Sequence, residues 1–157
     1  MALDCIDYLM QLLDQAELEH EFPVSAVVLD SMNTIIGSGY NQKEQLSDPT
    51  AHAELLAIRQ ATHAIGNWRL SEHILVSTLE PCPMCLGAIL QARLKKVVFL
   101  AKDIRWGACG SIMDFSNHPA INHSCKWVYE PHDDVVNRMR GFFHRQGKRG
   151  NGPKLHH

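Results

Sequence analysis

Residues 73–101, HILVSTLEPCPMCLGAILQARLKKVVFLA, constrain the fold more than any other stretch. Two short apolar runs, HILVSTL and KVVFLA, have the form of buried strands, and between them Pro83 to about Arg93 reads as a helix. Strands joined through a helix pair in parallel by a right-handed crossover, which requires a sheet with helices packed on it. The rest of the chain continues the alternation. Leu3, Ile6, Leu9, Met10, Leu13 and Ala16 recur at helical spacing over residues 3 to about 19, and VSAVVLD and TIIGSGYN flank SMN as a hairpin. AHAELLAIRQATHAI reads as a helix opened by Asp48, Pro49 and Thr50. Past the Gly-rich loop WGACGS, KWVYE is a last strand, and Val135, Val136, Met139, Phe142 and Phe143 mark one apolar face of a closing helix. The expected architecture is α/β in three layers: a mixed five-stranded sheet with helices on both faces, in which only the first two strands pair antiparallel.

At 157 residues, 45% hydrophobic and 20% charged, the chain fits one soluble domain, expected over residues 1–150 with a short tail at 151–157. His156 and His157 have the form of the start of a purification tag. Five cysteines are an odd number, and MALDCIDYLMQLLDQ has three acids and no basic residue, which fits neither a signal peptide nor a membrane span. The expected setting is a reducing cytoplasm, with thiols free or on a metal and no membrane partner. The formal net charge of −2 hides an asymmetry. Residues 1–42 hold seven acids and no Lys or Arg, whereas residues 132–157 hold Arg138, Arg140, Arg145, Lys148, Arg149 and Lys154 against Asp133 and Asp134. That end is either a phosphate-contacting arm or the solvated face of a surface helix, and charge alone leaves both open.

Cys82 and Cys85 stand where a buried strand gives way to a helix. Pro83 fits the first helical turn and Pro81 keeps the approach extended, so both thiols fall on one side, at the positive end of the helix dipole. Thiolates are favoured there. CPMC by itself leaves open a redox pair, half of a structural zinc site and a catalytic zinc site. A structural site needs two more Cys or His at close spacing, and Cys5, Cys109 and Cys125 are scattered singly, as small buried hydrophobes are. TAHAE supplies a different complement. His52 offers a third ligand, and Glu54, two residues on, points about 200° away around a helix, so its carboxylate reads as a base near the metal's water and not as a fourth ligand. Three protein ligands leave one tetrahedral position for water, the arrangement of a catalytic zinc. Singly, these residues reduce to a helix-start His and a surface Glu; jointly, with two cysteines after a strand, they are far harder to obtain by accident.

His52-Ala53-Glu54 followed by Pro81-Cys82-Pro83-Met84-Cys85 matches the H-x-E…P-C-x-x-C signature of zinc nucleoside deaminases. Within that superfamily the chain resembles the bacterial tRNA-specific adenosine deaminases. The resemblance runs through EFPVSAVV, DPTAHAELLAIRQ, LEPCPMCLGAI, VVFLAKDIRWGACGSIMD and HPAINH to the basic end of the last helix. It implies a three-layer cytidine deaminase-like fold, one Zn2+ per subunit on His52, Cys82 and Cys85, and Glu54 as the catalytic acid/base. It also implies a tRNA partner, with the wobble adenosine at position 34 of the anticodon converted to inosine, and a homodimer whose two subunits both touch RNA. Asn41 matches the family residue that hydrogen-bonds the target nucleoside, and Asp103 and Arg105 lie in the loop that meets the anticodon. Arg145 and Arg149 join the substrate-binding set as phosphate contacts of the basic end. The chain departs from the family in Ser25 where Gly is usual, Arg105 where Lys is common, and Trp106 at a usually small position.

The implied chemistry is hydrolytic deamination: a zinc-activated water adds at C6 of adenine, Glu54 moves the protons, and ammonia leaves. An anticodon loop, whose bases splay out, reaches such a site where a purine stacked in a duplex does not. Two other classes share parts of the pattern. A deaminase of a free base or nucleotide, such as guanine or cytidine, uses the same metal site and needs no basic tail. A non-enzymatic zinc or redox module is disfavoured by the open coordination and by Glu54.

Overall fold

The computed structural model describes the backbone of residues 3–148 and the side chains of residues 5–145, so Arg149 and the tail at 151–157 lie outside the described residues. The elements are α1 (Leu3–Leu18), β1 (Ser25–Leu29), β2 (Ile35–Tyr40), α2 (Lys43–Leu46), α3 (Ala53–Ile65), β3 (Ile74–Ser77), α4 (Pro83–Gln91), β4 (Lys96–Phe99), β5 (Lys126–Tyr129) and α5 (Asp133–Lys148). The five strands form one sheet in the order β2-β1-β3-β4-β5. β3, β4 and β5 pair in parallel; α4 makes the crossover from β3 to β4, and a long irregular segment makes the one from β4 to β5.

The expectation that only the first two strands pair antiparallel is corrected at the centre of the sheet. β1 also runs antiparallel to β3, with Val27 opposite Val76. The crossover through α3 starts from β2, which has the direction of β3, and β1 fills the gap between those two. The physical reason lies in burial: SAVVL is buried at every position, as a central strand must be, whereas IIGSGY is buried only at its two glycines and suits an edge.

Those glycines set how closely α3 lies on the sheet. A Cβ at Gly37 would meet Ala61 N at 2.7 Å, and one at Gly39 would meet Ala53 O at 2.7 Å. β2 and the Ala53, Ala57 and Ala61 stripe of α3 therefore approach backbone to backbone, and any larger residue would push the start of α3 away from the sheet. That start is His52; Asp48 does not open the helix but closes a turn of its own, accepting from Thr50 N at 2.8 Å and Thr50 Oγ1 at 2.7 Å. On the opposite sheet face, the buried Ser25 donates its hydroxyl to Leu9 O of α1 at 2.8 Å, which accommodates a serine in a glycine's place. The charge asymmetry is partly internal: Arg138 of α5 reaches Asp14 at 2.9 Å and Glu17 at 3.2 Å on α1.

Candidate active site

His52 and Cys82 occupy the N-cap positions of α3 and α4, both with extended backbone, and neither side chain caps its helix. Each turns instead toward the other. His52 Nδ1 lies 3.5 Å from Cys82 Sγ and 3.3 Å from Cys85 Sγ, and the three donor atoms all lie within 4.8 Å of one another. Zn–S bonds of about 2.3 Å and Zn–N bonds of about 2.0–2.1 Å put neighbouring tetrahedral donors roughly 3.5–3.8 Å apart, so zinc fits this cup with little movement. Two thiols and an imidazole are also the donors that zinc favours.

The cup is buried, and two helix N-termini face it with their positive ends. A hydrogen bond from Cys85 holds the Cys82 thiol well below its ordinary range against the effect of burial, and His52 pulls the same way. Burial pushes the Cys85 thiol up, and the bond to Cys82 adds to it. The other three cysteines are free and buried, and burial raises the Cys5 and Cys125 thiols to about 11 and Cys109 higher still, in keeping with a role as small hydrophobes.

Glu54 is fully buried, and it stands outside the three mutually close donors. The Ser77 hydroxyl is shared between Glu54 Oε1 at 3.2 Å and the Leu79 carbonyl at 2.8 Å. The Glu54 charge also bears on Cys85, whose thiol it helps to raise after the larger effect of burial. The result is a buried carboxylate beside the three donors, with one oxygen oriented by β3. Ser77 was not singled out from the sequence; its signal is the pair of hydroxyls, Ser77 and Thr78, inside the apolar run HILVSTL.

Asn41 follows β2 and is buried; its Nδ2 donates to Phe22 O at 3.4 Å and its Oδ1 accepts from Lys43 N at 3.2 Å. The next residue, Gln42, donates its N–H to Ala51 O at 3.0 Å, which ties this strand end to the approach to His52. Asp103 is buried at the base of the loop after β4, where its Oδ1 accepts from Arg105 N at 2.9 Å and Trp106 N at 3.1 Å. The turn so closed leaves Ile104, Arg105 and Trp106 exposed.

The Arg105 guanidinium lies 4.9 Å from the Phe143 ring centre, and the Lys102 ammonium 5.0 Å from that of Tyr129. Between this loop and α5 opens a cleft of about 380 Å³, lined by Asp103, Arg105, Tyr129, Arg140 and Phe143 among others. Arg145 does not join it. That residue lines a second cleft, of about 490 Å³, with Glu17, Asp134 and Arg138 between α1 and α5. Charge counting along the sequence had no means of separating Arg140, which faces the loop, from Arg138, which is spent on α1.

The profile of the cytidine and deoxycytidylate deaminase zinc-binding region matches residues 4–101, a span that includes all three donors and Glu54. The chain is 47% identical over 117 residues to the tRNA-specific adenosine deaminase of Haemophilus influenzae, covering 74% of this chain and 68% of that protein. With the tRNA-specific adenosine deaminase of Aquifex aeolicus it shares 38% identity over 123 residues, 78% of this chain and 81% of that one. A structure from a study of A-to-I editing by tRNA:A34 deaminases at the wobble position of transfer RNA superposes with a TM-score of 0.76 at 32% identity, over 81% of this chain and 97% of that chain.

Proposed function

We propose a function from one premise: the chain belongs to the cytidine and deoxycytidylate deaminase family and, within it, to the tRNA-specific adenosine deaminases. It converts adenosine 34, at the wobble position of a tRNA anticodon, to inosine. The observation that carries this function is the cup of His52, Cys82 and Cys85 with a buried carboxylate, Glu54, beside the donors and outside their set. Zinc bound there supplies a water whose pKa falls to about 7.

Glu54 takes a proton from the attacking water as oxygen adds to C6 of adenine. It delivers that proton to the ring nitrogen and passes the next to the departing amine, so that ammonia leaves and a carbonyl remains. Ser77 keeps the accepting oxygen in place. Asn41 hydrogen-bonds the nucleoside at the end of β2. Arg105 and Arg140 grip the anticodon loop around the cleft between the β4 loop and α5, with Asp103 lining that cleft and closing the turn that carries Arg105, and aromatic rings alternate there with cations as suits single-stranded RNA.

Met84 on α4 and Ile112 and Met113 on the loop after β4 are exposed apolar side chains, and a second copy of the chain covers them in a homodimer. Five free thiols fit a cytoplasmic setting, and no helix among the described residues is long and apolar enough to cross a membrane.

The test is mass analysis of an anticodon stem-loop with adenosine 34 after incubation with the zinc-loaded protein, beside free guanine and cytidine. Inosine from the stem-loop, with the free bases untouched, is expected. Turnover of a free base with no inosine in the RNA would transfer the site to the free-base deaminases.

A further inference from the structure

Glu80 connects the β3 run to the Pro81-Cys82 turn, and its side chain is fully buried. Its Oε1 accepts from Asp103 N at 3.2 Å and from the Ser111 hydroxyl, and its Oε2 accepts from Cys109 N at 3.0 Å and Ser111 N at 3.2 Å. All four donors come from one loop, and no salt bridge among the described residues reaches this carboxylate. The loop passes so close that a Cβ at Gly107 would collide with the carboxylate itself, which explains the first glycine of WGACGS. Backbone bonds extend the tie, from Glu80 N to Ala101 O at 2.8 Å and from Ala108 N to Pro81 O at 2.8 Å.

The chain between β4 and β5 has no regular element, only an isolated bridge between Cys109 and Asp114. Backbone N–H groups buried in such a stretch need acceptors from outside it, and a buried carboxylate needs several donors in place of water. Glu80 and the loop meet both needs at once. The same loop carries Asp103, whose carboxylate closes the turn under Arg105 and Trp106.

We propose that Glu80 is a positioning residue for RNA: its carboxylate holds the Asp103–Ser111 loop in the shape that presents Arg105 and Trp106, and locks that loop to the turn bearing Cys82. This rests on the tRNA function above. Glu80 touches neither the metal donors nor the reacting atoms, so its work appears in how tightly RNA is held and not in the rate once RNA is bound. Gln is nearly isosteric but turns an amide N–H2 toward N–H donors, which loosens the loop without emptying the space.

The experiment uses the full-length, zinc-loaded protein with Glu80→Gln and Ser111→Ala. Hydrogen exchange of the 101–113 segment is compared with that of 82–91, zinc content is measured, and single-turnover deamination of the stem-loop is followed against RNA concentration. For Glu80→Gln, loop exchange and half-saturating RNA concentration should each rise about 10-fold, with the maximal rate within about 3-fold and zinc retained. Ser111→Ala, which removes one donor of four, should show the same pattern at about 2-fold. Unchanged loop exchange, zinc loss with unchanged RNA grip, or a fall confined to the maximal rate would each overturn the proposal. If Glu80→Gln does not fold, Ser111→Ala decides alone, and an unaltered half-saturation there overturns it. Wild-type protein that makes no inosine defeats the functional premise instead, while loop exchange still reports whether Glu80 holds the loop.

Discussion

His52, Cys82 and Cys85 stand at the starts of two helices packed on the sheet, whereas Arg105 and Arg140 stand on an irregular loop and on the outer face of α5. The first set is buried, mutually close and faced by two helix dipoles; the second is exposed and spread along a cleft. On the proposed function, the difference follows from what each must do. Bond-making at C6 tolerates little displacement, so its residues are set by close backbone packing such as that of Gly37 and Gly39 against α3. Holding a flexible RNA loop is a sum of modest contacts, each adjustable. Losses at the cup should therefore be all or nothing, and losses at the rim graded.

The largest effect is expected from Cys85→Ser, which removes a ligand at the cup's most buried thiol. Zinc and activity should vanish together, with a lowered melting temperature, because a metal joining two helices couples binding to folding. Metal analysis and a thermal melt check this, and a fully active, metal-free variant would break the distinction between cup and rim. Glu54→Ala comes next. It should keep zinc, fold and RNA affinity while deamination falls by at least about 10²-fold. Zinc lost in proportion to activity would make Glu54 a ligand.

Rim substitutions should be milder and additive. Arg105→Ala and Arg140→Ala should each weaken stem-loop binding and flatten its logarithmic salt dependence by about 0.7, the share of one phosphate on a single strand, with the maximal rate retained. Arg145→Ala gives the same change if that residue also meets phosphate from its separate cleft, and an unchanged slope removes it from the interface. Arg138→Ala is the contrast: its guanidinium serves Asp14 and Glu17, so the slope should stay constant and stability should drop by at most about 1 kcal/mol. The smallest functional effect is expected from Ser25→Ala, which loses the bond to Leu9 O, about 1 kcal/mol by urea unfolding, with deamination unaltered.

The cup was legible because two local motifs together match the H-x-E…P-C-x-x-C signature. Pro81 to Cys85 and His52 to Glu54 each span one helix start, and the geometry of a helix start is nearly the same wherever it occurs. The alternation of strands and helices was legible because periodicity reports on neighbours a few residues apart. The short helix α2 escaped notice: its first turn is held by Glu21, a carboxylate more than twenty residues upstream, which accepts from Glu44 N at 3.2 Å and Gln45 N at 2.6 Å.

By itself the sequence determined an alternation of strands and helices and two helix-start motifs, His52-Ala53-Glu54 and Pro81 to Cys85, because each of those is written within a turn or two of chain. The tertiary structure decided the rest. It set β1 between β2 and β3, gave Arg138 to α1 while leaving Arg140 to the loop, and wrapped the Asp103–Ser111 loop around Glu80. These are contacts between distant segments, chosen by which buried groups must find partners once the chain has closed, and no local pattern encodes that choice.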